Sequence, residues 1–255
     1  MIAVLRSEWL KRRRSLTTPL VVGSATFVPS IILLARVRRP GGLPRMLEDP
    51  RYWTTLSVQA WESMVLMILP MMVMLAVSLV TQIEDRNNGW KQVHASPVPP
   101  AAVFAAKLTV IVFLAAQMLA LFIGSIYLAG SVPALLVPPA RVPAGFPVRA
   151  LAARSAVFLV DVLPIAAIQY LLALRFRSFV APLAIGLAAW LLSIGTISWP
   201  YSYVLPYSYA ALDYLMVEYH RRLPVPAPPT AIAAGCFIVF TVAAYVTFAL
   251  RRDKG

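Results

Sequence analysis

Six long, continuous apolar runs constrain this chain more than any other feature of its sequence. They occupy residues 16–35, 57–80, 108–130, 155–174, 180–199 and 229–250. A helix needs about 20 residues to cross the hydrocarbon core of a bilayer, and in lipid it satisfies its own backbone hydrogen bonds. Continuous runs, unlike short alternating strands, argue against a β-barrel. The sequence therefore predicts an all-α integral membrane protein with six transmembrane helices.

The composition of the chain also indicates a membrane protein, with no room for a second, soluble domain. Hydrophobic residues make up 60% of the 255 residues, charged residues make up 13%, and the mean hydropathy is +0.76. Soluble domains are nearer half apolar and a quarter charged. Six spans use about half of the chain, so we expect a single transmembrane domain over residues 1–255 with modest loops.

The first 15 residues differ in kind from the apolar runs. Ile2, Leu5, Trp9 and Leu16 recur at helical spacing among several basic side chains, a pattern typical of an amphipathic helix that lies in the membrane interface. A secretory signal is the alternative, but arginines at 36, 38 and 39 follow the first span without a small-residue cleavage site. We therefore predict an N-terminal interfacial helix over residues 1–15.

The formal net charge of +13 reflects basic residues placed mostly at the ends of the apolar runs. This placement is typical of helix-end anchoring and attraction to anionic lipid, and it argues against nucleic acid as a partner. Of the 23 lysines and arginines, a slight majority falls on the side of the two termini. By the positive-inside rule both termini are predicted to be cytoplasmic.

The motifs of common catalytic and metal sites are missing from the sequence. It has no G-x-x-x-x-G-K-[ST] phosphate loop, no H-E-x-x-H and no G-x-S-x-G. The two histidines, His94 and His220, are far apart, and Cys236 lies inside an apolar run. We therefore predict no catalytic residues, no metal site and no cofactor bound by this chain.

Two acids, Glu62 and Asp161, fall within predicted spans. Because an ionisable residue in a membrane is costly, it is by default a candidate for function. One interpretation is structural pairing, of Glu62 with Arg51 or another arginine on the outer side and of Asp161 with Arg154. The other is that both acids line a substrate path.

Aromatic residues and prolines give two further expectations. A run of aromatic side chains between the last two spans is explained either by an interfacial belt or by a surface that contacts substrate; its members are Trp199, Tyr201, Tyr203, Tyr207, Tyr209, Tyr214 and Tyr219. Four prolines within spans are predicted to kink or break their helices, namely Pro29, Pro70, Pro164 and Pro182.

The loop between the second and third spans, residues 82–107, carries the most information. Residues 87–89 are strong turn formers, and residues 90–96 can form a short helix that Pro97 ends. Prolines 99 and 100 suit the first turn of the next helix. The loop therefore predicts a short cytoplasmic helix parallel to the membrane, suited to docking onto another protein.

The order of landmarks in this loop resembles the permeases of the ABC-2 type, the membrane subunits of ATP-driven exporters. An acidic residue, Glu84, is followed by Gly-Trp-Lys, by Ser-Pro-Val and by a lysine that opens a span. The resemblance implies a coupling helix that rests on a partner ATPase. It assigns the coupling contact to Gly89, Trp90, Lys91, Gln92 and Val93, the exit of the loop to Ser96, Pro97 and Val98, and the base that opens the third span to Lys107.

Residues 168–178, with Gly186 in the next span, further resemble the permeases that protect bacteria against peptide antibiotics. The resemblance implies an exporter of an amphipathic substrate in the bacterial inner (cytoplasmic) membrane. Its partners would be a separate ATPase subunit that binds ATP and Mg²⁺, a second permease copy or a related permease, and membrane lipid.

Two other classes of function stay open at this point. An ion-coupled secondary transporter would carry an internal repeat with paired broken helices, and the two halves of this sequence show no convincing similarity. A membrane enzyme or assembly factor would need a cluster of polar groups within the spans.

Overall fold

A computed structural model of the chain describes residues 5–7, 9, 16–86, 99–136, 142–176, 178–220 and 224–252. Helices dominate, and no strand occurs in these ranges. The predicted all-α fold is confirmed.

Nine α-helices lie between residues 17 and 252 of the described part of the chain. They are α1 (Thr17–Arg38), α2 (Leu43–Glu48), α3 (Tyr52–Ser63), α4 (Leu69–Arg86), α5 (Pro100–Ser131), α6 (Val148–Arg175), α7 (Val180–Gly195), α8 (Tyr209–Glu218) and α9 (Pro229–Arg252). A π-helical segment, Met64–Ile68, joins α3 to α4, and short 3₁₀ turns lie at Pro40–Gly42, Val132–Leu136 and Ser202–Val204.

Five helical segments are long and apolar enough to cross a membrane. They are Thr17–Arg38, Tyr52–Gln82, Ala101–Leu135, Val148–Arg175 and Pro229–Leu250. The sixth apolar helix, Val180–Gly195, has only 16 residues. At ~1.5 Å per residue it is about 24 Å long, shorter than a bilayer core of about 30 Å. The predicted fifth span, 180–199, is therefore a shorter helix than the sequence suggested.

Helix α6 lies at the centre of the bundle, where it packs against α4, α5, α7, α8 and α9. Helices α1 and α9 lie at the periphery, and large apolar side chains on their outer faces are exposed, including Phe27, Ile31, Val239 and Val242. Exposed apolar stripes of this length are stable when lipid covers them. The arrangement is that of a multi-pass membrane protein.

The junction of α3 and α4 shows how the bundle tolerates a proline. Pro70 has no N–H to give to the Leu66 carbonyl one turn earlier, and the π-helical segment widens the backbone at this point. The indole N–H of Trp190 in α7 donates a hydrogen bond of 3.0 Å to the Leu66 carbonyl. A neighbouring helix thus satisfies the backbone group that the proline leaves free.

The other three prolines do not break their helices. Helix α1 continues through Pro29 and helix α6 through Pro164. Pro182 lies in the first turn of α7, where a missing N–H costs little because that group has no partner within the helix. None of these three prolines therefore breaks its helix, and the predicted kinks stay a prediction.

The predicted interfacial helix over residues 1–15 is described only in part. Leu5–Ser7 and Trp9 are helical, and the Trp9 ring meets the ring of Phe113 edge-on, with centroids 4.8 Å apart. This contact brings the N-terminal segment against α5.

The chain after α7 returns into the bundle instead of forming an outer loop. Helix α8 packs against α6, α9 and the π-helical segment. Tyr207, Tyr209 and Tyr214 are consequently buried, whereas Trp199 and Tyr201 are about half exposed. The interfacial-belt interpretation is therefore wrong for the three buried tyrosines, which are part of the protein core.

Candidate functional site

The predicted coupling loop lies between α4 and α5. Eight of its predicted residues fall outside the described part of the chain: Gly89, Trp90, Lys91, Gln92, Val93, Ser96, Pro97 and Val98. Glu84 lies in the last turn of α4. Helix α5 begins at Pro100, with Pro99 as its N-cap residue, which confirms the predicted start of this helix.

Lys107 lies in the second turn of α5, and its side chain is fully buried. A residue that contacts a separate subunit needs an accessible side chain. The structure therefore places Lys107 in the interior of the bundle and not on the surface of the loop. Helix α5, which contains the third predicted span (108–130), begins about two turns before residue 108. Lys107 is therefore part of that helix and is buried inside the bundle.

Asp161, on α6, is also fully buried, and its carboxylate forms no well-aligned hydrogen bond within the described ranges, although the Thr230 hydroxyl lies close to it. The polar side chains that face it are those of Asp213 on α8 and Thr230 at the start of α9. The predicted partner, Arg154, instead forms an ion pair of 2.9 Å with Glu218. The predicted Asp161–Arg154 pairing is therefore wrong, because α8 supplies a closer acid to that arginine.

Glu62, at the end of α3, is exposed and accepts a hydrogen bond of 3.2 Å from the Tyr219 hydroxyl. The charge of Glu62 is the main cause of a raised pKa at Tyr219, and the hydrogen bond between them adds to it. The structure shows this tyrosine, and not the expected Arg51, as the partner of Glu62.

The two predicted acids belong to one group of charged side chains around α8, which we call the acid cluster: Glu62, Asp161, Asp213 and Glu218. Asp161 faces Asp213, and Asp213 lies near Arg154. The negative charges of Glu62 and Glu218 both act on the Tyr214 hydroxyl. Burial raises the pKa of Asp213, and the Arg154 charge opposes the rise. Glu218 is paired with Arg154, so the facing acids Asp161 and Asp213 are the part of the cluster that favours a positively charged ligand.

A second buried polar contact, between Gln169 and Tyr207, links α6 to the segment before α8. The Gln169 amide donates a hydrogen bond of 3.2 Å to the Tyr207 hydroxyl, and Gln169 is fully buried. Burial raises the pKa of Tyr207 to about 12, so the phenol is neutral. Sequence reasoning missed this contact, because 38 residues separate the two side chains.

Gly186 makes room for the Gln169 side chain. A Cβ atom at this position would overlap the Gln169 amide and would lie 2.8 Å from the Met74 sulfur. Glycine thus lets α7 approach both α6 and α4 closely. The sequence singled out Gly186 by resemblance, and the structure supplies a packing reason for the residue.

A metal centre finds no support in the described ranges, where no three His, Cys, Asp or Glu side chains group in a way that could hold an ion. One of the two histidines, His94, lies outside those ranges.

The chain was compared with known protein families. The model of a family described as ABC-2 family transporter protein matches residues 4–193, most of the chain. A search of curated proteins finds no match. The matched region includes the N-terminal segment, the loop between α4 and α5, and Asp161, and it ends before α8.

Proposed function

Because the chain belongs to the ABC-2 family of transporter proteins, we propose that it is the membrane subunit of an ATP-driven exporter. Membership makes it a permease component of an ABC transporter, a class of membrane transport component that is not itself catalytic. The finer proposal is that a separate ATPase subunit hydrolyses ATP with Mg²⁺ and docks onto the loop between α4 and α5. The single observation that carries it is the family match, which spans this loop.

The helices beside the loop offer a way to transmit movement of the ATPase. Helices α4 and α5 both pack against the central α6. A shift of the docked loop would therefore reach the core of the bundle through two helices. Nucleotide binding would favour one arrangement of the bundle by its differential affinity for the two states.

The acid cluster supports a proposal about the substrate. Asp161, a fully buried acid that faces Asp213 and Thr230, is the kind of intramembrane ionisable residue that marks a substrate path. We propose that the exporter moves an amphipathic molecule with a positively charged group, such as a peptide antibiotic, a lipid-like molecule or a drug. Two permease copies, or this chain and a related one, would enclose the path.

Replacing Trp90 and Lys91 together with alanine should weaken docking of the ATPase. Aromatic and basic side chains at the centre of an interface commonly contribute most of the affinity, so we expect the affinity for the ATPase to fall roughly tenfold or more. Substrate-stimulated ATP hydrolysis in proteoliposomes should fall with it, while membrane insertion stays intact. The measurement is the rate of ATP hydrolysis as a function of the concentration of the ATPase subunit.

A matched control removes the same two kinds of side chain elsewhere. Trp199 is half exposed and Arg45 is exposed, and neither lies near the loop in sequence. The W199A/R45A variant should keep the original affinity for the ATPase, read from hydrolysis against ATPase concentration. Normal stimulation of ATP hydrolysis with the W90A/K91A variant would show that Trp90 and Lys91 do not contribute to docking.

An ion-coupled secondary transporter is the second candidate. The observation that favours it is the fully buried Asp161 beside Asp213, because buried acids also form ion and proton pathways in transporters. Transport that survives removal of ATP and stops when the ion gradient is collapsed would support this candidate over the exporter.

A further inference from the structure

Helix α8 packs against α6 with two charged contacts along the interface. Arg154 and Asp161 lie seven residues apart on α6, which places them two turns apart on one face of that helix. Asp213 and Glu218 lie on α8, with Asp213 first in the chain. Arg154 pairs with Glu218, and Asp161 faces Asp213. The two helices therefore run in opposite directions past each other, and each contact joins one residue of α6 to one of α8.

The two contacts differ in their balance of charge. The Arg154–Glu218 pair joins opposite charges at 2.9 Å and is partly exposed. Asp161 and Asp213 are both acids, and no arginine or lysine of the described ranges forms an ion pair with either. Asp161 is also fully buried. Two carboxylates that face each other away from water cannot both stay charged without a large cost, so such a pair tends to hold one proton between them.

The other titratable groups around α8 lie at separate contacts. Helix α3 contributes Glu62, which is exposed and accepts a hydrogen bond from the Tyr219 hydroxyl. Helix α9 contributes Cys236, whose sulfur lies 3.1 Å from the Tyr209 hydroxyl. The π-helical segment Met64–Ile68 has no titratable side chain. The facing acids of α6 and α8 are therefore the contact at which one proton changes repulsion into attraction.

We propose that Asp161 and Asp213 form a proton-binding site that controls how firmly α8 docks on α6. With one proton bound, the protonated carboxyl group donates a hydrogen bond to the other carboxylate. With no proton bound, two negative charges repel each other across the interface, and α8 loosens. The proton comes from water and returns to it, so no bond other than O–H forms or breaks. The proposal goes beyond the proposed function and is independent of it, because it holds whichever energy source drives transport.

The direction of the pH effect follows from the number of bound protons. Burial raises the pKa of Asp213, so docked α8 keeps a proton that the same carboxyl groups release when they are exposed to water. Raising the pH therefore weakens docking, by up to about tenfold per pH unit while the docked pair keeps its proton. Below the pKa of an exposed aspartate, docked and undocked states both keep the proton, and the effect disappears.

The test is hydrogen exchange of the full chain in nanodiscs, read by mass spectrometry from about pH 6 to about pH 9, above the pKa of an exposed aspartate. Each variant is compared with the original chain at the same pH, which cancels the pH dependence of the chemical exchange step. In the original chain, protection of the α8 amides should fall about tenfold per pH unit over part of this range. Asp161→Asn and Asp213→Asn should each abolish that fall, because asparagine keeps the shape and has no proton to lose.

Two controls isolate the pair. Asp49→Asn makes the same change at an exposed acid outside α8, and it should follow the original chain at every pH. The amides of α4 should keep the same protection in every variant, which separates loosening of α8 from unfolding of the bundle. Cys236 stays in both asparagine variants of the pair, so a fall in protection that this thiol caused would persist in them.

Three results would overturn the proposal. They are protection of α8 that does not change with pH in the original chain, a fall in protection that persists in both Asp161→Asn and Asp213→Asn, and an equal loss of the pH dependence in Asp49→Asn.

Discussion

Gly186→Ala is expected to destabilise the protein by roughly 1–3 kcal/mol, a large effect for one added methyl group. The methyl group would overlap the Gln169 amide and press on the Met74 sulfur. The Gln169 side chain cannot move away freely, because it is fully buried and hydrogen-bonded to the Tyr207 hydroxyl. The measurement is the apparent melting temperature in mild detergent, read by size-exclusion chromatography after heating.

Two controls isolate the cause of that loss. Gly124 lies inside helix α5 with no atom near the position of a Cβ, so Gly124→Ala should be neutral or slightly stabilising. In a Gln169→Ala background, Gly186→Ala should cost much less than it does alone, because the overlapping amide is gone. An unchanged melting temperature for Gly186→Ala would show that α7 does not pack this closely on α6.

Asp161→Asn is expected to raise the melting temperature and to lower transport at least tenfold. A fully buried carboxyl group is costly when no arginine or lysine pairs with it, and Asp161 faces a second acid, Asp213, with only the Thr230 hydroxyl close to it among the described side chains. Asparagine keeps the shape and removes the charge, which should stabilise the fold by roughly 1–3 kcal/mol. Loss of function with a gain of stability is typical of a charge kept for its activity.

Glu62→Gln is the matched control for that substitution. Glu62 is exposed and its described hydrogen bond is to Tyr219, so its stability change should be within about 0.5 kcal/mol. A lower melting temperature for Asp161→Asn would contradict the account, because it would mean that the carboxylate is paired and stabilises the fold.

The helices could be predicted because their cause is local. A continuous apolar run of about 20 residues has one stable arrangement in lipid. The first and the last of the five long segments lie close to their predicted bounds, whereas the second, third and fourth begin before theirs, at Tyr52, Ala101 and Val148. The third begins earlier than expected, since Ala101–Phe104 continue the apolar face that Lys107 interrupts in the sequence.

The burial of α8 could not be predicted in the same way. Residues 199–219 are rich in aromatic side chains, which suit a membrane interface and a protein core equally well. Only the packing of α8 against α6 and α9 decides between them. The pattern of aromatic residues alone therefore does not distinguish Tyr209 and Tyr214 from Trp199.

The partners of charged residues were hard to predict for a related reason. Arg154 lies two turns before Asp161 on one helix, so the pair was plausible from spacing alone. The competing acid, Glu218, is 64 positions away in sequence and reaches Arg154 through the fold of α8. Likewise, the Leu66 carbonyl, one turn before Pro70, accepts a hydrogen bond from the indole N–H of Trp190, which lies on another helix.

The coupling loop is a prediction of another kind. It comes from the order of Glu84, the Gly-Trp-Lys triplet and the Ser-Pro-Val triplet, and the family match covers it. The structure shows the two helices that bound the loop: α4 ends at Arg86, and α5 begins at Pro100.

The most direct test of the central claim is purification of the tagged protein from its own host in mild detergent, with crosslinking to retain weak contacts. The account predicts a near-stoichiometric partner that carries a phosphate-binding loop, and ATP hydrolysis by the purified complex. Recovery of the chain without such a partner, before and after crosslinking, would contradict the claim that a separate ATPase drives it.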